Sequence, residues 1–376
     1  MSSPGRPWIT ANQVTLARLI PMPLLAWLIY RGYERHDDTL LWSALIAGTL
    51  IGCTDWVDGM LARKYGPTVL GGLLDPIADK VFIAFAYVPF ADDTVGLVPA
   101  WACALMFTRE LFITALRSAY EQRNLTLKTS YLAKVKTWTQ MQGIGVMLLV
   151  PLVNNQRNLI SFLSILTGAP LLVMAYFWLV KKKFWRGALV MSGSVAPILA
   201  VYLYGGPLLT VRWILLAVVG ITWISGLDYI VIGWKQLRGR GDFGLADAVR
   251  LIGALAMPGL LFADLVVVPT WVPAWPIFTI LSLELAVGGL DNLMSHHKRS
   301  TKALAWGSRV LGVSVLLTGA LLVQDHADLF LYGATAVSLV GVAAEFWRGR
   351  DYFLDKRIRD RALREAAVHQ PESQLT

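Results

Sequence analysis

Cysteine and charge are what this chain has least of. Its two cysteines in 376 residues, Cys53 and Cys103, both fall within apolar stretches, which excludes a disulfide-framed fold. Only 16% of the residues are charged while 56% are hydrophobic, and the mean hydropathy is +0.54. That is far more apolar mass than a water-soluble core needs, so an integral membrane protein is expected. No cleavable leader is expected: residues 1–10 are polar, include Pro4 and Pro7, and run straight into the first apolar stretch.

What is present is a series of apolar runs, each near the ~20 residues that cross roughly 30 Å of hydrocarbon. Spans are expected at 14–30, 39–60, 71–90, 97–120, 137–153, 160–180, 187–205, 209–234, 246–263, 273–291, 303–323 and 328–346. The expected fold is therefore an all-α, polytopic transmembrane helical bundle of about twelve spans, with irregular backbone kept outside the lipid. The fifteen tryptophans lie mostly near span ends, as interfacial belts require.

Cations sort the loops. Alternate connections hold Arg63 and Lys64; Arg123, Lys128, Lys134 and Lys136; Lys181 to Lys183 and Arg186; Lys235, Arg238 and Arg240; Lys298, Arg299 and Lys302; and a tail from Arg348 to Arg364. The intervening loops carry few, and Asp92, Asp93, Asp325 and Asp328 fall among them. The positive-inside rule then puts both termini in the cytoplasm of a cell-membrane protein. The net charge of +9 reads as topology and contact with anionic lipid, not as a nucleic-acid footprint.

Against this background, "DWVDGMLARKYGPTVLGGLLDPIADK" over residues 55–80 places aspartates at 55, 58, 75 and 79. On helices, each pair shares a face, and Gly66 and Pro67 in the link turn the chain back so that the two faces meet. An uncompensated Asp at mid-helix costs about 2.5–3.5 kcal/mol on translocon scales. Divalent cations remove that cost: Mg²⁺ or Mn²⁺ in a shell of hard oxygens, completed by phosphate, suits phosphoryl transfer. Gly59, Ala62 and Gly71 remove bulk where a ligand could approach, and Arg63 has the fork that pairs with phosphate.

The stretch resembles the signature of the CDP-alcohol phosphotransferases, D-x-x-D-G-x-x-A-R followed by G-x-x-x-D-x-x-x-D. Every fixed position is present, as Asp55, Asp58, Gly59, Ala62, Arg63, Gly71, Asp75 and Asp79. Seven residues separate Arg63 from Gly71, where the family usually has eight. The resemblance implies that Asp55, Asp58, Asp75 and Asp79 hold two divalent ions and the CDP diphosphate. It implies that Asp79 is the general base for the acceptor alcohol, and that Gly59, Ala62, Arg63 and Gly71 face the CDP moiety.

Flanking sequence addresses the acceptor. Residues 12–25, 108–124 and 130–149 are similar to the bacterial phosphatidylglycerolphosphate synthase branch, and "DPIADK" fits it as well. Arg109, Arg117, Lys134 and Lys136 form a cationic group suited to the phosphate of sn-glycerol 3-phosphate. Arg109 lies inside a span beside Glu110, where a guanidinium needs a partner or a function. Transfer from CDP-diacylglycerol to sn-glycerol 3-phosphate is the expected activity. Inositol phosphate or phosphatidylglycerol is the alternative acceptor, and a non-enzymatic transporter or assembly factor the rival class.

The resemblance is good over residues 8–153, and 217–237 looks like the closing helix of the family, so 1–240 is expected to be the catalytic part, with the spans between 160 and 205 inserted. Residues 245–262 echo 12–25, aligning Arg250 with Arg18, and "GGLDNLMSHHKR" follows at nearly the spacing of the first aspartate motif. Asp291 then matches Asp58, but Asn292 replaces the glycine and 301–312 carry no carboxylate. A degenerate, non-catalytic repeat over 241–347 is expected, followed by a charged cytoplasmic tail over 348–376, with either a homodimer or an internal pseudo-dimer as the assembly. His296, His297 and Lys298 read as a solvated turn, since adjacent histidines on a helix cannot share one ion.

Overall fold

The computed structural model describes residues 10–354, apart from 67, 94, 124, 126–130, 154, 241–243 and 297–302. These residues form twelve α-helices and one 3₁₀ turn (Gln324–His326), with no strand among them. The helices are α1 (Ala11–Leu19), α2 (Met22–Arg35), α3 (Asp38–Tyr65), α4 (Val69–Ala91), α5 (Ala100–Glu121), α6 (Tyr131–Leu152) and α7 (Gln156–Lys181), followed by α8 (Arg186–Arg240), α9 (Leu245–Val267), α10 (Trp275–His296), α11 (Ala303–Leu322) and α12 (Ala327–Leu354). The expected turn at His297 and Lys298, and the tail beyond Leu354, lie outside the described residues.

The chain is a multi-pass membrane protein. Seven described helical stretches are long and apolar enough to cross a bilayer: Ala11–Arg35, Asp38–Tyr65, Gln156–Lys181, Arg186–Val231, Asp247–Val267, Trp275–Ser295 and Gln324–Asp351. That is fewer than the twelve apolar runs. α4, α5 and α6 stay outside the set, and these helices carry Asp75, Asp79 and Lys80, Arg109, Glu110 and Arg117, and Lys134 and Lys136. α11 contributes a shorter apolar stretch, Gly307–Leu322.

Local chemistry sets the breaks. Thr10 opens α1 with a capping box: its hydroxyl accepts from the Gln13 amide, and the Gln13 side chain accepts from the Thr10 amide at 2.9 Å. The expected first span, 14–30, is divided at Ile20 and Pro21, because proline has no N–H to continue the ladder. The expected spans 187–205 and 209–234 are the two segments of α8, which breaks at Gly206 (φ 71°, ψ −165°). α3 ends at Gly66, and the Thr68 hydroxyl caps α4 by accepting from the Gly71 amide at 2.9 Å. The chain thus doubles back between the two aspartate pairs, and α1 packs on both α3 and α4.

The second half of the chain docks against α4 and α5. Phe85 of α4 stacks on Phe278 of α10, and Phe107 of α5 on Phe262 of α9, with ring centroids 5.9 Å apart in each pair. Each is worth about 0.5–1.5 kcal/mol beyond its buried area. Helices in lipid gain by close approach through small residues; a Cβ on Gly289 of α10 would stand 2.8 Å from Ile77 Cγ1. Arg123 and Asp247 pair at 2.6 Å across the same seam. Within the second half, Glu284 accepts from Arg309 and, at 2.8 Å, from Ser338, which ties α10, α11 and α12 together.

Gly66 sits at φ 96°, ψ 145°, outside even the left-handed helical well, where a side chain costs about 1–3 kcal/mol. Gly66→Ala is expected to lower the thermal unfolding midpoint of the detergent-purified protein. Asn should help no more than Ala, because its tolerance is for the left-handed helical region. A midpoint unchanged in both variants would show that the turn is not strained.

Candidate active site

The four aspartates come together at one end of α3 and α4, and α1 supplies the groups between them. Arg18 Nη1 donates to Asp55 Oδ1 at 3.0 Å and lies 3.2 Å from Asp79 Oδ1, while Nη2 is 3.8 Å from Asp58 Oδ2. Thr15 Oγ1 lies 3.0 Å from Asp58 Oδ2 and 2.9 Å from Asp75 Oδ1. Four carboxylates therefore share one guanidinium and one hydroxyl. The guanidinium is buried, as is Asp58 at 3% exposure, whereas the Asp55 side chain is half exposed. Asp79 Oδ1 is buried with no hydrogen-bond partner. Among the described residues no three acidic, histidine or cysteine side chains surround a single point as metal ligands would; here the Arg18 guanidinium is the counter-charge.

The remaining signature residues flank the quartet. Gly59 lies one turn before Arg63, whose guanidinium folds back to within 3.4 Å of a Cβ placed at Gly59. Ala62 is half-buried, and Arg63 is exposed at the end of α3. Gly71 is buried, and a Cβ there would meet Asn12 Oδ1 of α1 at 2.9 Å. Its smallness therefore lets α1 close on α4.

A cavity of roughly 1020 Å³ opens beside Asp55 between α3, α4, α5 and α6. Arg109, Arg117, Lys134 and Lys136, the four cations expected to form one group, all line it. Lys136 Nζ donates to Glu110 Oε1 at 2.6 Å, and Arg109 Nη1 lies 3.4 Å from the same oxygen. α8 braces two of them: Arg109 donates to Ser225 Oγ at 2.8 Å, and Arg117 to Tyr229 Oη at 2.5 Å. A Cβ on Gly226 would stand 3.1 Å from Arg109 Nε, so that glycine admits the guanidinium. Lys134 is exposed. Apolar residues including Leu45, Phe82, Ile144 and Leu148 complete the walls.

Thr15, Arg18, Lys80 and Glu110 belong to these sites without having been assigned to them from the sequence. Arg18 had a signal: it is a cation in an apolar span whose own helix contains no acid. Lys80 adjoins Asp79, lines the cavity and donates to Thr114 Oγ1 at 2.6 Å. In the second half, Arg250 and Asp291 face each other at 3.5 Å, both buried, as Arg18 faces Asp58.

A family model described as CDP-alcohol phosphatidyltransferase matches residues 8–180. A Mycobacterium tuberculosis protein named "Probable phosphatidylglycerophosphate synthase" is 36% identical over 140 residues, which cover 37% of this chain and 65% of that protein. Proteins named "CDP-diacylglycerol--glycerol-3-phosphate 3-phosphatidyltransferase" from Bacillus subtilis and Rickettsia felis are 31% and 34% identical over 37% of this chain and 75% and 74% of their own lengths. No solved structure matches. With the complete aspartate signature gathered around Arg18, the N-terminal match shows that this chain belongs to the CDP-alcohol phosphatidyltransferase family.

Proposed function

We propose that the protein transfers the phosphatidyl group of CDP-diacylglycerol to sn-glycerol 3-phosphate, giving phosphatidylglycerolphosphate and CMP. The observation that carries this reading is the cavity in which Asp55 of the quartet faces Lys80, Arg109, Arg117, Lys134 and Lys136. A phosphorylated acceptor needs such a cationic wall, and an unphosphorylated alcohol does not. The names of the mycobacterial, Bacillus and Rickettsia relatives point to the same acceptor.

The quartet suits divalent cations, Mg²⁺ or Mn²⁺. Its donors are hard oxygens, four carboxylates face a single guanidinium, and Asp79 Oδ1 has no hydrogen-bond partner. Asp55, Asp58, Asp75 and Asp79 would hold two such ions, which when bound would neutralise the diphosphate of the donor. Arg63, exposed beside Gly59, pairs with donor phosphate, and Gly59, Ala62 and Gly71 border the CDP site. The cationic wall binds the acceptor phosphate and presents its hydroxyl. Asp79, as general base, takes the hydroxyl proton; the acceptor oxygen bonds to the phosphatidyl phosphorus, and the bond from that phosphorus to CMP breaks with its electron pair on CMP. Apolar walls continuous with the charged end let a lipid donor and a water-soluble acceptor reach one place.

The site and both termini are cytoplasmic, on the argument of loop charge. Residues 1–240 are the catalytic part, and 241–347 a degenerate repeat whose single Arg250–Asp291 pair lacks the other acids; this half stands where a second copy would otherwise pack.

Purified full-length protein supplied with labelled glycerol 3-phosphate and CDP-diacylglycerol should form phosphatidylglycerolphosphate. Asp79→Asn should lower the rate roughly 10²–10⁴-fold, and EDTA should abolish it until Mg²⁺ or Mn²⁺ is restored. Full activity in either condition sinks the mechanism. Turnover of inositol phosphate without turnover of glycerol 3-phosphate would reassign the acceptor.

Lys134→Ala and Arg117→Ala should each raise KM for glycerol 3-phosphate about tenfold, the loss of one charge-assisted contact, while leaving KM for CDP-diacylglycerol near its original value. Equal effects on the two substrates would remove the cationic wall from the acceptor site.

A further inference from the structure

Opposite the aspartate quartet, a second cavity of roughly 810 Å³ lies along the seam between α2 and α4 on one side and α9 and α10 on the other. Asp92 caps the C-terminus of α4, whose N-terminal part carries Asp75, so most of a 23-residue helix separates the two sites, roughly 25 Å at 1.5 Å per residue. None of the groups assigned to phosphatidyl transfer lines this cavity.

Its most telling group is Asp264, in the last turn of α9. The residue is wholly buried, it lines the cavity, and neither carboxylate oxygen has a hydrogen-bond partner. A carboxylate buried alone in a membrane span is costly, and such residues mark ligand or ion sites. Asp92, Asp93 and Glu34 line the same space, with Arg31 beside Glu34 at 2.5 Å. The excess charge is negative.

The form of the cavity selects the cation. Its carboxylates come from separate elements, Asp264 from α9 and Asp92 and Asp93 from the chain after α4. Aromatic side chains share the wall with aliphatic ones: Trp27, Phe85, Trp275 and Phe278, the last stacked on Phe85. Carboxylates and aromatic side chains on one cavity wall suit an ammonium group, which donates hydrogen bonds to acids and is attracted by aromatic rings.

We infer that this cavity binds an organic ammonium group, with Asp264 as its buried anionic partner and the aromatic wall as its second contact. The ammonium is carried either by a soluble amine or by an amine-bearing lipid headgroup. Because Asp264 comes from α9 and Asp92 from the end of α4, neither half of the chain forms the site alone. The second half thereby has a binding role that does not depend on the acids it lacks.

The test uses full-length protein. In detergent, calorimetric titration with ethanolamine is compared with ethylene glycol, its neutral counterpart. In phosphatidylglycerol nanodiscs, the thermal midpoint is measured with and without phosphatidylethanolamine. Saturable binding of ethanolamine identifies a soluble amine as ligand, and a midpoint raised only by phosphatidylethanolamine identifies a lipid. In either case Asp264→Asn should weaken the response roughly tenfold or more, as loss of a charged partner requires, while phosphatidyl transfer persists. This variant keeps the size of a buried side chain that has no hydrogen-bond partner and should fold like the parent, which its thermal midpoint without ligand checks; Asp92→Asn provides a second, milder loss. Silence in both arms, equal binding by Asp264→Asn, or a response that Mg²⁺ reproduces would overturn the inference.

Discussion

Arg18 is the counter-charge on which the aspartate-bearing end of the molecule depends. Its buried guanidinium stands among Asp55, Asp58 and Asp79, and the Thr15 hydroxyl one turn earlier bridges Asp58 and Asp75. At the edge of a bilayer, mutual repulsion among four such carboxylates would drive α3 and α4 apart. α1 can deliver the cation because it is short: its capping box starts it at Thr10, and Pro21 frees it from α2. The tight turn at Gly66 and the absent side chain at Gly71 let it settle between the two acidic faces.

The same economy of charge governs the cationic wall. Arg109, Arg117 and Lys136 are not left to repel one another in a low dielectric. Glu110 takes Lys136 and Arg109, while Ser225 and Tyr229 of α8 take Arg109 and Arg117. Each cation thus keeps part of its donor set for a ligand while its orientation is fixed by a neighbour. That is how a site on three charge-bearing helices stays ordered inside a membrane protein.

In the second half Arg250 pairs with Asp291 as Arg18 does with Asp58, and α11 offers no carboxylate to join them. This half presents a packing surface: Phe262 and Phe278 stack on the first half, and Gly289 admits Ile77. The seam so formed leaves a cavity lined by aspartates, whereas the cavity rich in lysine and arginine lies within the first half, between α3, α4, α5 and α6.

Much of this was legible in the linear sequence, because the signals are local. Hydrophobic runs longer than a soluble helix requires, the i,i+3 and i,i+4 aspartates, the Gly66–Pro67 reversal and the intramembrane Arg109 each follow from spacing within one or two helices. The break within the first span, the partner of Arg18 and the brace from Ser225 and Tyr229 do not, since they join residues distant along the chain through contacts that no periodicity encodes. That Gly71 also makes room for Asn12 of α1 is equally absent from the local pattern. Asp264 reads in the sequence as one acid near a span end; its burial without a partner, among aromatic rings from three other helices, exists only once α9 and α10 have packed against α2 and α4. The sequence by itself determined which segments could enter the bilayer and which charges would need neutralising there, because those are properties of single helices. Tertiary structure alone decided which opposite charges meet, because in a medium that screens little, packing geometry selects the partner.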